Sequence, residues 1–267
     1  MNWISSVVSM ELRKIFAYRS DFWVSFLGQT LVQLIVATAL WTSIYESQNT
    51  NNLNGFSLET MILYYLIVPL GTKVLMGENI GFLSREIYDG TFTRYLIYPL
   101  DPFQYKTVTY LTYSMFFALQ LLLIYSSAHL FFSSIPTTPE VFTNLLLGIL
   151  LFFTAAVAFM FLSMAIELIS LWADNIWTLM VLLRFLVSFL GGGLIPLTFM
   201  PEWIQKILSF TPFPYFISLP TQTILGKTGT EEIQHGFLIL GFWIIFFFLL
   251  VKLIWRSGSK QYSGVGI

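Results

Sequence analysis

The sequence predicts an all-α integral membrane protein. A single domain over 1–267 holds six transmembrane helices, an amphipathic interfacial helix before the first, a short helical connection between the second and third, and re-entrant or surface-lying short helices before the sixth. Three observations predict it. The 267 residues are 56% hydrophobic and 18% aromatic, with a mean hydropathy of +0.75, well beyond the roughly half-apolar composition of a soluble domain. Six stretches are apolar for long enough to cross hydrocarbon about 30 Å thick, which takes roughly twenty residues at a helical rise of about 1.5 Å. The gaps between them are too short for a soluble domain of even about fifty residues.

Residues 1–21 come first. The segment "MELRKIFAYRSDF" sets Arg13, Lys14 and Arg19 among apolar side chains, the pattern of a basic amphipathic helix lying along the membrane surface. The spans are expected at about 22–45, 58–76, 105–132, 141–167, 175–199 and 235–255. The first lacks a small-residue cleavage pattern and exceeds the core of a signal peptide, so it is expected to be retained. "SQNTNNLNG" at 47–55 is a polar loop, and Pro69 is a tolerable kink inside the second span.

Basic residues flanking spans stay on the cytoplasmic side. Arg13, Lys14 and Arg19 precede the first span, Lys73, Arg85, Arg94 and Lys106 surround the second connection, and Lys252, Arg256 and Lys260 follow the sixth. These are ten of the 13 basic residues; Lys206 and Lys227 fall in the last long connection and Arg184 within the fifth span. Both termini are therefore expected in the cytoplasm, as an even number of spans requires.

The longest cytoplasmic connection, at about 77–104, concentrates charge. Between 84 and 105 stand Arg85, Glu86, Asp89, Arg94 and Asp101, in a chain where 10% of residues are charged. Ile80, Leu83 and Ile87 recur at helical spacing, Gly90 interrupts, and Phe92, Tyr95 and Leu96 resume on a second short piece. Glu78 and the other charges fall largely on other faces, and Pro99 and Pro102 are expected to end the segment because neither donates the next helical hydrogen bond. On this pattern it is either an interfacial helix closing the turn or a docking surface for a cytoplasmic partner.

In the connection at 200–234, "PEWIQKILSF" spaces Trp203, Ile204, Ile207 and Leu208 on one helical side and Glu202, Gln205 and Lys206 on the other. Pro212, Pro214 and Pro220 prevent a continuous span, so short re-entrant or surface helices are expected, as an outer cap or an outer gate. Arg184 lies about 13 Å into the fifth span at helical rise. A charge there must face protein, water or the inner surface. Glu167 and Asp174 are the expected partners of a structural ion pair, a polar contact for substrate being the other reading. Gly191, Gly192 and Gly193 would thin that helix two turns on, for close packing or as a hinge.

Glu86, Gly90, Thr91, Leu96 and Pro99 carry a pattern, E-x-x-x-G-T-x-x-x-L-x-x-P, that resembles the connection between the second and third spans of bacterial ABC transporter permeases of the type-2 exporter class. Gly192, Pro196, Pro201, Trp203, Pro212, Phe213, Pro220 and Gly226 fall much as they do before the last span of those permeases, and the tail "KQYSGVGI" is similar to the family's endings. The resemblance covers nearly the whole chain. It implies the permease subunit of an ATP-driven exporter in the bacterial cytoplasmic (inner) membrane: two permease copies, alike or related, above two separate ABC ATPase subunits. It also implies a coupling helix in which Glu86, Asp89, Gly90, Thr91 and Arg94 meet the ATPase, braced by the N-terminal interfacial helix.

Absences agree with that division of labour. "TQTILGKT" has Gly226, Lys227 and Thr228 but Thr221 where a phosphate-binding loop needs its first glycine. No cofactor is expected in this chain; ATP and Mg would be held by the partner. His129 and His235 lack nearby carboxylates, and no hydrolase constellation occurs, so neither a metal site nor an enzyme is expected. With 13 basic and 14 acidic residues nothing favours nucleic acid, and the absence of cysteine excludes disulfides and thiolate sites. A secondary transporter or a lipid-handling membrane protein without an ATPase is the alternative; the first would place several ionisable residues near midplane. Pathway residues and cargo are not named by the sequence, although its Phe, Tyr and Leu content mildly favours a hydrophobic or amphiphilic one.

Overall fold

The computed structural model describes residues 3–17, 19–77, 81–97, 101–128, 138–173 and 175–262. Twelve α-helices occur among them: α1 (Trp3–Ala17), α2 (Arg19–Gln48), α3 (Leu58–Met76), α4 (Phe82–Tyr88), α5 (Thr93–Ile97), α6 (Pro102–Ala128), α7 (Pro139–Glu167), α8 (Trp177–Leu190), α9 (Glu202–Leu208), α10 (Phe213–Phe216), α11 (Ser218–Ile224) and α12 (Thr230–Gly258). Glu78, Ile80, Pro99, His129, Asp174 and the last five residues of the tail lie outside the described residues, as does the side chain of Arg19.

α3 and α7 are the central pair. α3 buries Met61, Tyr64, Ile67, Leu70, Val74 and Leu75 around its circumference, and α7 buries Leu151, Phe152, Ala155, Ala156 and Phe159. Helices apolar on all sides belong inside a bundle. Small residues let neighbours approach α7: a Cβ on Gly148 would lie 2.3 Å from Ile224 Cγ1 and 2.9 Å from the Pro220 carbonyl of α11. α12 lies at the edge, with only 17% of its most apolar stretch buried. Leu238, Phe242, Ile245, Leu249 and Leu253 are all exposed on it. That much apolar surface suits lipid and not water.

α3, α6, α7 with its 3-10 extension to Leu171, and α12 are long and apolar enough to cross a membrane. The six-span expectation therefore resolves into four such helices among the described residues. α2 has 30 residues, and its side chains at 19–27 and 29 lie outside the described residues. α8 corrects the expected span at 175–199: it has 14 residues and ends at the glycine run, about 21 Å at helical rise. The run is a turn. Gly192 takes φ +87°, a left-handed conformation open to glycine, and its carbonyl accepts from Tyr64 Oη at 2.7 Å while that of Leu194 accepts from Tyr65 Oη at 2.8 Å. Two α3 tyrosines thus satisfy backbone groups that a broken helix would strand in an apolar interior.

Other boundaries move less. The segment expected over 1–21 holds the helix α1, ending at Ala17, and Arg19 opens α2 instead. Pro102 does not end the charged connection; it sits in the first turn of α6, where a missing N–H costs nothing. α3 occupies the expected 58–76, started by Ser57, whose Oγ accepts from Thr60 N at 3.3 Å while Thr60 Oγ1 accepts from Ser57 N at 2.9 Å. α9 falls on the expected amphipathic segment, but Trp203 and Ile207 on its apolar side are exposed while Leu208 is buried.

At one end of the bundle, the far end, the turns are fastened together. Lys227 Nζ donates to the Gly55 carbonyl and stands 4.0 Å from the centre of the Phe56 ring. Asn54 Nδ2 donates to the Thr198 carbonyl at 3.1 Å, and Tyr45 Oη donates to the Phe56 carbonyl at 2.6 Å. Burial holds the Lys227 ammonium below the ordinary lysine pKa. "TQTILGKT", the near match to a phosphate loop, is here the end of α11 and the turn after it.

Candidate functional site: the braced connection between α3 and α6

At the opposite, near end, α4 and α5 form the connection in which the charges concentrate. α4 lacks a side-chain cap of its own, since Gly81 stands at that position with φ +88°. Glu167 at the end of α7 supplies the acceptor: its Oε2 takes hydrogen bonds from the N–H groups of Leu83 at 2.8 Å and Ser84 at 3.4 Å. Helix starts leave such donors unsatisfied, and a carboxylate there also meets the positive end of the dipole. Glu167 is 4% exposed. It was expected to pair with Arg184, but it faces α4, whereas Arg184 lines a cleft with Lys73.

Glu86 forms a second brace. Its Oε1 accepts from Arg94 Nη2 at 2.6 Å and Tyr95 Oη at 2.9 Å, and its Oε2 accepts from Lys106 Nζ at 2.5 Å. The Arg94 guanidinium and the Lys106 ammonium also lie 4.9 and 5.3 Å from the Tyr95 ring centre. One carboxylate therefore ties α4 to α5 and α6. Burial, and then the Glu86 charge, push the Tyr95 phenol up to about 12, so it keeps the proton it donates. The hydrogen bond to Tyr95 and the Glu86 charge raise the Arg94 pKa in turn.

The chain reverses at Gly90, φ +71°, and Phe92 plunges into the near end, fully buried between the rings of Tyr95, Trp255 and Tyr262 at 5.7 Å each. Tyr262, just beyond α12, donates to the Gly90 carbonyl at 3.1 Å and lies 3.0 Å from Thr93 Oγ1. This clip was not foreseen: a lone tyrosine in a polar tail gives no periodic signal. Glu11 of α1, 2% exposed and paired with Lys14 at 2.8 Å, lines with Glu86, Lys106 and Glu167 a cavity of about 240 Å3. Lys14 is thus held beside the braced connection, and Arg13 on the same helix is exposed.

The expected site residues separate by direction. Glu86 points inward, with its side chain 13% exposed. Asp89 and Arg85 point outward, joined at 3.6 Å, and Thr91 and Arg94 are exposed. With Phe82, Tyr88 and Trp177 of α8, Arg85 and Asp89 border an open groove of about 500 Å3. His235 of α12 packs 6.2 Å from the Tyr215 ring of α10, and among the described residues no group of His, Cys, Asp or Glu could hold a metal.

Membrane-length helices closed at one end by a stiff, ion-paired connection define a multi-pass membrane protein. A family model described as ABC-2 family transporter protein matches residues 31–266, and the chain belongs to that family. Membership makes it a transporter permease, a class that works with ATP-binding partners. No curated protein and no solved structure matches the chain.

Proposed function

We propose that the chain is the membrane-spanning subunit of an ATP-driven exporter in the bacterial cytoplasmic membrane, acting as a dimer with itself or a related permease above two separate ATPase subunits that bind ATP and Mg. The observation that carries this reading is the bracing of α4 and α5 from three sides, by Glu167 of α7, Lys106 of α6 and Tyr262 after α12, with Glu11 and Lys14 of α1 lining the cavity beside them. A connection that only closes a turn needs no such frame. A lever does, because force applied to its outer face reaches the spans only if the lever cannot yield.

In this reading Arg85, Tyr88 and Asp89 meet the ATPase along the groove beside α4, Gly90 and Thr91 set the angle between the two short helices, and Glu86 and Arg94 hold that angle. ATP closes the paired motors, α4 and α5 move with them, and the spans rearrange to open a pathway between two permease copies. α2 and α8 supply the remaining two passes, α8 completed by the glycine turn and the short helices α9 to α11. The basic flanks support a cytoplasmic position for both termini and the braced connection.

The test is coupling. Gly90→Pro removes the left-handed turn, and Glu86→Arg sets a third cation against Arg94 and Lys106. Both variants are expected to insert normally and to lose ATPase stimulation and transport when reconstituted with the ATPase; unchanged transport in both would refute the role.

A further inference from the structure

α12 carries one outward stripe that changes chemistry along its length. Phe242, Phe246, Leu249 and Leu253 are all exposed, and their spacing of three and four residues lines them up on a single helical face. From Phe242 to Leu253 this oily track runs about 17 Å at helical rise, close to one leaflet of a hydrocarbon core about 30 Å thick. It then turns basic. Arg256 continues the face in the last turn, Lys252 stands one turn before it, and Lys260 follows just beyond the helix, all three exposed. The chain has no acidic residue from 233 to 267, and none of these three cations makes an ion pair among the described residues. Lys252 Nζ rests 4.4 Å from the Phe248 ring centre. Exposed Trp172 lies beside the same turn, where a Cβ on Gly258 would come within 2.7 Å of its Cη2. A tryptophan so placed marks the level of lipid headgroups. The inward side of these turns holds the braced connection, the Trp255 ring lying 5.7 Å from that of Phe92 and 5.0 Å from that of Phe103.

We propose that this stripe binds an anionic phospholipid, whose phosphodiester head lies against Lys252, Arg256 and Lys260 while one chain runs along the track from Leu253 to Phe242. A guanidinium and two ammonium groups supply charge-assisted hydrogen bonds to the phosphate oxygens. A zwitterionic lipid brings its own cation to the same ladder and gains less. Free phosphate finds the charges but leaves the oily track unused, and an acidic protein segment matches the cations but not the apolar face that continues from them. The lipid is a resident of the helix edge, so the site does not depend on the exporter reading.

The chain has no cysteine, so Ser257→Cys, exposed beside Arg256, can carry a single fluorophore in the full chain reconstituted into phosphatidylcholine vesicles. Trace phosphatidylglycerol bearing a nitroxide near its head is expected to quench it, saturably, at least about threefold more than equally labelled phosphatidylcholine, the preference that a few cations at an anionic headgroup supply. Unlabelled phosphatidylglycerol should relieve the quenching, and excess inorganic phosphate should not. Lys252→Gln, Arg256→Gln and Lys260→Gln together are expected to bring the two lipids level, whereas Lys252→Arg with Lys260→Arg keeps the preference. Equal quenching by both lipids in the otherwise unchanged chain, a preference that survives the triple variant, or relief by inorganic phosphate overturns the proposal. If the triple variant keeps its lipid preference and no longer holds the ATPase, the ladder is a protein contact and the lipid site falls.

Discussion

Glu167 reaches 84 residues back along the chain to hold the first turn of α4. Replacing it by alanine leaves two N–H groups facing a buried void, which costs about 1–3 kcal/mol. Glu167→Ala is expected to lower the unfolding midpoint of the purified chain and to uncouple the ATPase, while Glu167→Gln, which keeps an acceptor, does so less. Equal stability of wild type and the alanine variant would remove Glu167 as the cap. This role was not legible in the sequence, because a glutamate at the end of an apolar run looks the same whether it faces an arginine or a helix start. Glu86 is similar: its place in the motif was readable, but its inward direction follows from Lys106, twenty residues away, which no local pattern links to it.

Among the elements, those set by local chemistry were readable. α3 begins at a serine cap and ends at Gly77, and α4 and α5 part at Gly90, as helical spacing and a single breaker dictate. α8 was not readable at its far end: its apolar run continues past Leu190, and the turn that stops it depends on the Tyr64 and Tyr65 hydroxyls of α3. The clip after α12 is likewise tertiary. Tyr262→Phe keeps the ring against Phe92 but removes the hydroxyl that meets Gly90 and Thr93. The net loss expected of such a bond is about 0.5–1.5 kcal/mol, seen as faster amide exchange at 90–95 with α3 and α7 unchanged. Unaltered exchange there would free the connection from the tail.

For the molecule as a whole, α8 is the helix least able to stand alone in a bilayer. It is too short to cross, and Val181, Leu182, Phe185 and Phe189 on it are exposed. Broken backbone at membrane depth is tolerated where protein covers it, so the second permease copy is expected against α8 and not against α12. The chain has no cysteine, so single replacements report cleanly. Phe185→Cys should give a disulfide-linked dimer on oxidation in membranes and Leu249→Cys should not; the reverse result would move the contact to α12.

The far end of the bundle bears on how anything leaves. Lys227, Asn54 and Tyr45 rivet the turns after α2, α8 and α11 into one panel, so none of these three turns is free to swing like a hatch. In the proposed exporter, cargo would then leave at a seam where two such panels meet, as doors slide apart, and an agent that staples one roof to its neighbour would jam export without touching the proposed motor below.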